Sequence, residues 1–246
     1  MKRTPWGGRA GVGRDERRGE PLPYRSVELI GPVRAVSAAE YAVDDERALR
    51  LGRPAARVAV VRDRAVSFGV GVRLDPGFLG KAEREGVPTI RRTSGGSGLL
   101  HEPGDLFWSI VLPRTDPRAG ADFRRAFGRL GTGAVRFLAR RGLAAAWTAA
   151  PGAAPDYCTL SERGEVLSVD GRIVGGAAQH VTSSALLHHA TISTELDRST
   201  IDRLFDLPSP GPTQRLASLR ELGLTEPPEE LGTDLADAIL DSLASD

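Results

Sequence analysis

The sequence predicts an α+β fold in which helices flank mixed, mostly antiparallel sheets. Several short runs rich in valine and isoleucine are bounded by turn residues, as expected of strands. Between and after these runs lie segments with helix-capping residues at their ends. A chain of 246 residues can bury one large core, and it contains no internal repeat. One domain is therefore expected over residues 24–246.

Composition excludes several classes of protein. The 33 Lys+Arg residues nearly balance 32 Asp+Glu, so the net charge of +1 predicts no nucleic-acid or anionic membrane partner. No stretch approaches the roughly 20 apolar residues of a membrane span, and the N-terminus lacks a hydrophobic signal core, which favours a soluble, cytoplasmic protein. Residues 1–23, rich in Arg and Gly, are predicted to form a flexible tail. The single cysteine excludes an internal disulfide, and no metal site is predicted.

The N-terminal half alternates helices and strands. Ser37 and Glu40 form a capping box, and Gly52 suits a left-handed C-cap, so a helix is expected between them. Strands are expected at residues 57–62, 65–72 and 87–92. A short helix is expected to begin at Asp75-Pro76 and to end at Gly86.

The C-terminal half predicts a hairpin followed by helices. Asp170-Gly171 supplies the two positive φ angles of a type I′ turn between strands at residues 165–169 and 172–181. Further strands are expected at residues 106–112 and 185–194, and a long helix at 122–141. Residues 144–155 are expected to be an irregular connection. Helices are expected at residues 199–206, 214–222 and 233–244.

The densest chemical signal is a glycine-rich loop after a strand that ends in two arginines. Guanidinium groups of Arg91 and Arg92, together with bare backbone N–H groups at residues 94–97, would suit a phosphate or carboxylate. An ordinary turn with surface arginines is the alternative. The pattern matches neither a P-loop nor a dinucleotide-binding fingerprint.

Three other features are candidates for a ligand site. The small residues Gly175-Gly176-Ala177-Ala178 let a ligand lie flat on a strand, or let a neighbouring element pack closely. His188 and His189 must face opposite sides of their strand, so one of them faces inward. Cys158 lies in a loop before the hairpin and either carries an acyl group as a thiolate or is an inert buried thiol.

In combination these motifs resemble the lipoate–protein ligase and octanoyltransferase family, whose catalytic domain is similar to that of biotin–protein ligases. The resemblance covers about residues 35–222 in order and spacing. It rests on the following segments: Val66-Ser67-Phe68-Gly69, Arg91-Arg92-Thr93-Ser94-Gly95-Gly96 continuing to His101-Glu102-Pro103-Gly104, Gly171-Arg172-Ile173-Val174-Gly175-Gly176-Ala177-Ala178-Gln179, Leu187-His188-His189-Ala190-Thr191, and Leu216-Ala217-Ser218-Leu219-Arg220-Glu221.

The resemblance implies transfer of a lipoyl or octanoyl group to a lysine of a lipoyl carrier domain, of the 2-oxoacid dehydrogenase or glycine cleavage type. The acyl source would be lipoate with ATP and Mg²⁺ in a ligase, or octanoyl-carrier protein in a transferase. One set of residues would bind the anionic end: Arg91, Arg92, Ser94, Gly95, Gly96, Ser97 and His101. A second set would bind the acyl chain: Gly176, Ala177, Ala178 and His188 or His189.

Two departures from the family pattern keep three functions open. Ile173 stands where the family has its active-site lysine, which leaves the adjacent Arg172 as the candidate cation. The chain after Leu222 is too short for the accessory domain of some ligases, so a ligase would need a separate accessory chain. The alternatives to a ligase are an ATP-independent octanoyltransferase with Cys158 as its nucleophile, and a catalytically silent binder of an acyl ligand or carrier protein.

Overall fold

The computed structural model describes residues 27–120, 123–161 and 165–245; the side chains of residues 123–125 lie outside this part. The predicted N-terminal tail and the predicted helix start at Asp122 also lie outside it. Eleven strands are present in the described residues. They are β1 (Glu28–Leu29), β2 (Ala35–Val36), β3 (Ala55–Val61), β4 (Ala65–Phe68), β5 (Thr89–Arg91), β6 (Leu99–His101), β7 (Leu106–Pro113), β8 (Ala145–Ala149), β9 (Glu165–Val169), β10 (Arg172–Val181) and β11 (Ala185–Ile192).

Six α-helices accompany these strands in the described residues. They are α1 (Ala38–Leu51), α2 (Pro76–Arg84), α3 (Phe123–Leu130), α4 (Thr132–Ala139), α5 (Arg198–Leu204) and α6 (Pro228–Ala244). Short 3₁₀ turns cover Pro117–Ala119, Cys158–Leu160, Pro212–Arg215 and Arg220–Leu222. No helix in the described ranges combines the length and the apolar character needed to cross a bilayer.

Two sheets organise the fold. The larger has eight strands in the order β1-β3-β7-β11-β10-β9-β8, with β2 also paired to β3. All of its pairs are antiparallel except those that β1 and β2 make with β3. The smaller sheet has the order β5-β4-β6. This confirms the predicted α+β class with mixed, mostly antiparallel sheets.

The main core lies between the large sheet and helices α4 and α6. Trp108 on β7 and Phe137 on α4 are fully buried there. The small sheet closes a second apolar cluster with α2, α5 and the segment around Tyr157. The space between the two sheets, bordered by α1, is where a cleft forms.

Local sequence signals are confirmed at several elements. The capping box joins Ser37 and Glu40, and Gly52 closes α1 at φ +59°. Asp170 and Gly171 have φ angles of +49° and +77°, as the predicted hairpin turn requires. Asp75 caps α2 by accepting a hydrogen bond from the backbone N–H of Phe78.

Three predictions about the secondary structure are wrong. The long helix at 122–141 is broken at Gly131, because Trp147 packs so closely that a Cβ on Gly131 would lie 2.3 Å from its Nε1 atom. The connection at 144–155 contains β8, which carries that tryptophan. Residues 214–222 form no α-helix, because their N–H groups bond to other segments: Ala217 donates to the Ile173 carbonyl and Leu219 to the Ser193 carbonyl.

Candidate active site

An apolar cleft opens between the small sheet, strands β10 and β11, and helix α1. The cleft, together with the open space at its mouth, measures about 570 Å³. Its apolar lining comes from Ala38, Tyr41, Ala42, Ile90, Leu99, Phe107, Ala177, Ala178 and Ala190. Its polar lining comes from Asp45, Ser67, Arg92, Thr93, His101, Cys158, His189 and Thr191, with Gly176 exposing backbone.

The glycine-rich loop at residues 93–98 forms one wall of the cleft and is held by close backbone packing. The N–H of Gly69 donates to the Gly96 carbonyl at 3.1 Å. A Cβ on Gly69 would lie 2.2 Å from that same carbonyl oxygen, so only glycine allows the approach. Gly96 itself has φ +92°, a conformation that L side chains rarely adopt.

Arg92 donates hydrogen bonds both to this loop and to Ser67 on β4. Its Nη1 donates to the backbone carbonyl and the hydroxyl of Ser67 at 2.8 and 3.0 Å. Its Nη2 donates to the carbonyls of Gly95 and Ser97 at 3.0 and 2.8 Å, and its Nε also reaches Gly95. In this structure the fork is occupied by protein oxygens, so the predicted binding of an anion by Arg92 stays a prediction. Arg92 shapes the loop.

Arg91 points away from the cleft. Its side chain is exposed and donates to the carbonyls of Gly69 and Val72, so it fixes the turn after β4. Strand alternation causes this, because adjacent residues of β5 face opposite sides. Arg91 therefore does not line the cleft.

Cys158 lies in the cleft beside Arg92. Its backbone N–H donates to the Gly98 carbonyl at 2.7 Å, which joins the cysteine segment to the end of the glycine-rich loop. The Sγ atom lies 3.8 Å from Nη2 of Arg92. A Cβ on Gly96 would lie 3.2 Å from the sulfur, so bare loop backbone covers the thiol. Burial lowers the pKa of Arg92, and the charge of a Cys158 thiolate opposes that effect.

His189 is the histidine of the pair that enters the cleft. Its Nδ1 lies 2.7 Å from Oδ2 of Asp45 on α1, and its Nε2 lies 2.6 Å from the Ser94 hydroxyl. Asp45 is also held by Nη2 of Arg57 at 3.1 Å. A continuous hydrogen-bond chain thus runs from the glycine-rich loop through β11 to α1.

His188 faces the other side of the large sheet, which corrects its assignment as a candidate ligand residue. It is fully buried, stacks edge-on against Phe127 and pairs with the Gln179 amide. Burial lowers the pKa of His188 to about 3, so the ring is neutral in the core. Alternation along β11 allows only one histidine of the pair to reach the cleft.

His101 lines the cleft as a neutral ring. Burial is the main cause that lowers its pKa to about 3, and the nearby charge of Arg92 acts in the same direction. Its Nε2 lies 2.7 Å from the Ser67 hydroxyl. Because Ser67 accepts from Arg92, its own hydrogen is directed to His101.

The small residues of β10 serve close packing as well as the cleft. A Cβ on Gly176 would lie 2.9 Å from Cγ2 of Thr159, the residue after Cys158. Ala178 pairs with His189 in register, whereas Ala177 packs against the main core. The strand thus brings the segment with the thiol close to the sheet.

Ile173 and Arg172 both lie outside the cleft. Arg172 is exposed at the start of β10, opposite Val169, and does not line the cleft. Ile173 is 5% exposed and packs with Tyr157, Leu160 and Leu216. The register of β9 and β10 shifts between Ile173 and Gly175, yet this bulge does not turn Arg172 inward. The proposed catalytic role of Arg172 therefore has no geometric support.

Ile173→Lys is expected to destabilise the protein without creating an active-site cation. A lysine ammonium in that apolar cluster would lose its hydration, at a cost of at least about 2 kcal/mol in the free energy of unfolding. Urea denaturation measures this loss, with Ile173→Leu as a volume-matched control that costs less than about 1.5 kcal/mol. Unchanged stability together with faster acyl transfer would show that position 173 reaches the reacting group.

Asp45 is the site residue that the sequence reasoning missed. The buried face of α1 carries Ala38, Tyr41, Asp45 and Leu49, a helical spacing in which a carboxylate replaces an apolar residue. A charged residue in such a position needs a partner. The sequence therefore indicated a buried carboxylate at this position, but it did not indicate which residue would pair with it.

Comparison with known proteins identifies the family. The sequence model of the lipoyl protein ligase A/B catalytic domain matches residues 58–239. The chain belongs to this family. Octanoyltransferase LipM of Macrococcus caseolyticus is 27% identical over 179 residues, which cover 66% of this chain and 63% of that protein. A putative lipoate-protein ligase A of Aeropyrum pernix is 31% identical over 124 residues, which cover 50% of this chain and 40% of that protein.

Solved structures of the lipoyl protein ligase A/B family share the fold. Lipoate-protein ligase A bound with ATP superposes with a TM-score of 0.70 at 21% identity, covering 89% of this chain and 86% of that one. A bipartite lipoate protein ligase studied with its E2 lipoyl domain, from Thermoplasma acidophilum, gives a TM-score of 0.67 at 19% identity, covering 89% and 84%. The match spans 63% and 58% of the LipM proteins of M. caseolyticus and Staphylococcus aureus.

Proposed function

We propose that this protein is an ATP-independent acyltransferase that moves an octanoyl group through Cys158 to a lysine of a lipoyl carrier domain. The observation that carries the proposal is the position of the Cys158 sulfur, within an apolar cleft and 3.8 Å from a buried guanidinium. The thiolate is the nucleophilic form of a cysteine, and the guanidinium lies where it can pair with that charge. The similarity to LipM octanoyltransferases supports the same chemistry.

The reaction has two steps on the same sulfur. The thiolate of Cys158 attacks the carbonyl carbon of a donor thioester, a new C–S bond forms, the C–S bond to the donor breaks, and the donor leaves as a thiolate. The unprotonated lysine amine of the carrier domain then attacks the acyl-Cys158 carbonyl. A C–N bond forms as the nitrogen gives up one proton, the C–S bond breaks, and Cys158 leaves as a thiolate. The donors of Arg92 are held by the carbonyls of Ser67 on β4 and of Ser97 in the loop.

The apolar lining suits a saturated acyl chain. Each buried methylene contributes about 0.8 kcal/mol, so the chain can supply most of the binding energy. Tyr41 and Phe107 pack with ring centroids 4.6 Å apart and form an aromatic wall on the side of α1 and β7. A chain that extends from Cys158 toward this wall stays out of water.

The described lining of the cleft has few cationic groups that could bind a nucleoside triphosphate. Among the described residues that line it, Arg92 is the one arginine or lysine, and its donors are occupied. The chain has two lysines: Lys81 pairs with Asp206 outside the cleft, and Lys2 lies outside the described residues. These facts favour the thioester transferase over a lipoate ligase that consumes ATP and Mg²⁺.

Intact-mass measurement tests the proposal. The purified protein is incubated with octanoyl-carrier protein, or with lipoate, ATP and Mg²⁺, each with and without lipoyl domains of the 2-oxoacid dehydrogenase and glycine cleavage types. We expect an octanoyl adduct on Cys158 from the thioester alone, and its passage to a carrier lysine.

Two other outcomes would contradict the proposal. Carrier modification that needs ATP would establish a ligase, and restoration of that reaction by an added chain would identify a separate accessory subunit. A protein that binds the octanoyl group without forming an adduct or transferring it would be a silent binder.

A further inference from the structure

The second step of the proposed reaction needs a group that accepts a proton, and this inference rests on that proposed function. A lysine amine that attacks a thioester must lose a proton as the C–N bond forms. Four described residues lining the cleft carry a group that can take one: Asp45, His101, Cys158 and His189.

Three of these four groups are unsuited to the task. Cys158 holds the acyl group. His101 is deeply buried, and its Nε2 lone pair already accepts from Ser67. Asp45 is 2% exposed, and its two carboxylate oxygens are already paired with Arg57 and His189.

His189 has the arrangement of an oriented base. Asp45 accepts from Nδ1, which fixes the ring and directs the lone pair of the neutral imidazole to Nε2. The side chain is 12% exposed and lines the cleft that contains Cys158. The negative charge of Asp45 also stabilises the imidazolium that forms when Nε2 takes a proton.

Ser94 holds Nε2 in the resting cleft and has a second acceptor available. Its hydroxyl lies 2.6 Å from Nε2 of His189 and 3.4 Å from the carbonyl of Gly95. When an amine approaches Nε2, the hydroxyl hydrogen can turn to Gly95. The lone pair is then released without leaving the buried hydroxyl unpaired.

We propose that His189 is the general base of the second step and that Asp45 is its positioning residue. The carrier amine attacks the acyl-Cys158 carbonyl, its proton passes to Nε2 of His189, and the C–S bond breaks to return the thiolate beside Arg92. His189 then releases the proton to solvent. The charged and titratable groups near His189 are Asp45 and Tyr41 of α1, Arg57 of β3, His101 of β6 and His188 on its own strand. Arg92 and Cys158 line the same cleft.

His189→Gln separates the two steps, because glutamine keeps a polar side chain but accepts no proton at neutral pH. Octanoyl-Cys158 is formed from octanoyl-carrier protein and isolated, and its discharge to a lipoyl domain is followed by intact mass as a function of pH. We expect discharge to the carrier to slow by at least about a hundredfold, and by far more than adduct formation slows.

Hydroxylamine distinguishes a missing base from a damaged cleft. This amine is largely unprotonated at neutral pH and does not depend on a general base. It should therefore discharge octanoyl-Cys158 in the variant at nearly the wild-type rate. Asp45→Asn should show the same selective loss with a smaller magnitude, since asparagine still accepts a hydrogen bond but can also select the wrong tautomer. His180→Gln is the matched control, since His180 lies on β10 and does not line the cleft.

The outcomes distinguish this inference from the proposed function. No adduct on the wild-type protein overturns the proposed function itself. A normal adduct in His189→Gln followed by wild-type discharge to the carrier overturns the role of His189 alone. A variant that fails equally with hydroxylamine and with the carrier lysine also contradicts the base role, because its defect is structural.

Discussion

Cys158→Ser is expected to abolish acyl transfer from a thioester, with a fall of roughly three orders of magnitude or more in the transfer rate. A serine hydroxyl is not ionised at neutral pH and needs a base to remove its proton. The neighbouring group, Nη2 of Arg92 at 3.8 Å from the sulfur, is a donor and cannot remove it. Octanoyl transfer to a lipoyl domain, followed by intact mass, measures the effect.

The fold of this variant should be almost unaffected, because serine is only slightly smaller than cysteine and the thiol is half-buried. Thermal unfolding of the variant and of Cys158→Ala provides the control. A Cys158→Ser protein that transfers at the wild-type rate would exclude the covalent intermediate and would leave direct attack on the donor, or an ATP-dependent reaction, as the chemistry.

The order of the motifs predicts which segments line the cleft more reliably than it predicts the direction in which each side chain points. The glycine-rich loop, the small-residue strand and Cys158 were all candidates for a ligand site, and the structure brings them together. Which histidine faces inward could not be predicted, because alternation gives opposite faces but not the register against the neighbouring strands. Pairing of His189 with Ser109 of β7 and with Ala178 of β10 decides it.

Long-range partners account for the other omissions. Asp45 and His189 are 144 residues apart in the chain, so no local pattern joins them. Gly131 fits the helical pattern of its neighbours, and only the tryptophan on β8 explains why the helix breaks there. Local signals such as the capping box of α1 and the Asp170-Gly171 turn, by contrast, needed no distant partner and were predicted correctly.

Arg92→Met distinguishes a loop-shaping arginine from an anion-binding one. In the structure the side chain donates to the carbonyls of Ser67, Gly95 and Ser97, which methionine would leave unpaired in a buried place. We expect a loss of about 3 kcal/mol in the free energy of unfolding, since hydrogen bonds to charged groups contribute about 1.5–3 kcal/mol each and partial rearrangement recovers some. The melting temperature should fall by roughly 6–12 °C.

Activity should fall together with stability, because the loop that covers Cys158 and the cation beside its sulfur are lost in one change. The adduct-forming step should slow by at least about a hundredfold. Arg91→Met is the matched control, because it removes the same charge from the adjacent, exposed position. Its free energy of unfolding should stay within about 1 kcal/mol of the wild-type value. If instead Arg92→Met melts like the wild type and loses only affinity for an anionic donor, the guanidinium binds that anion directly. The loop carbonyls would then be resting partners that the donor displaces.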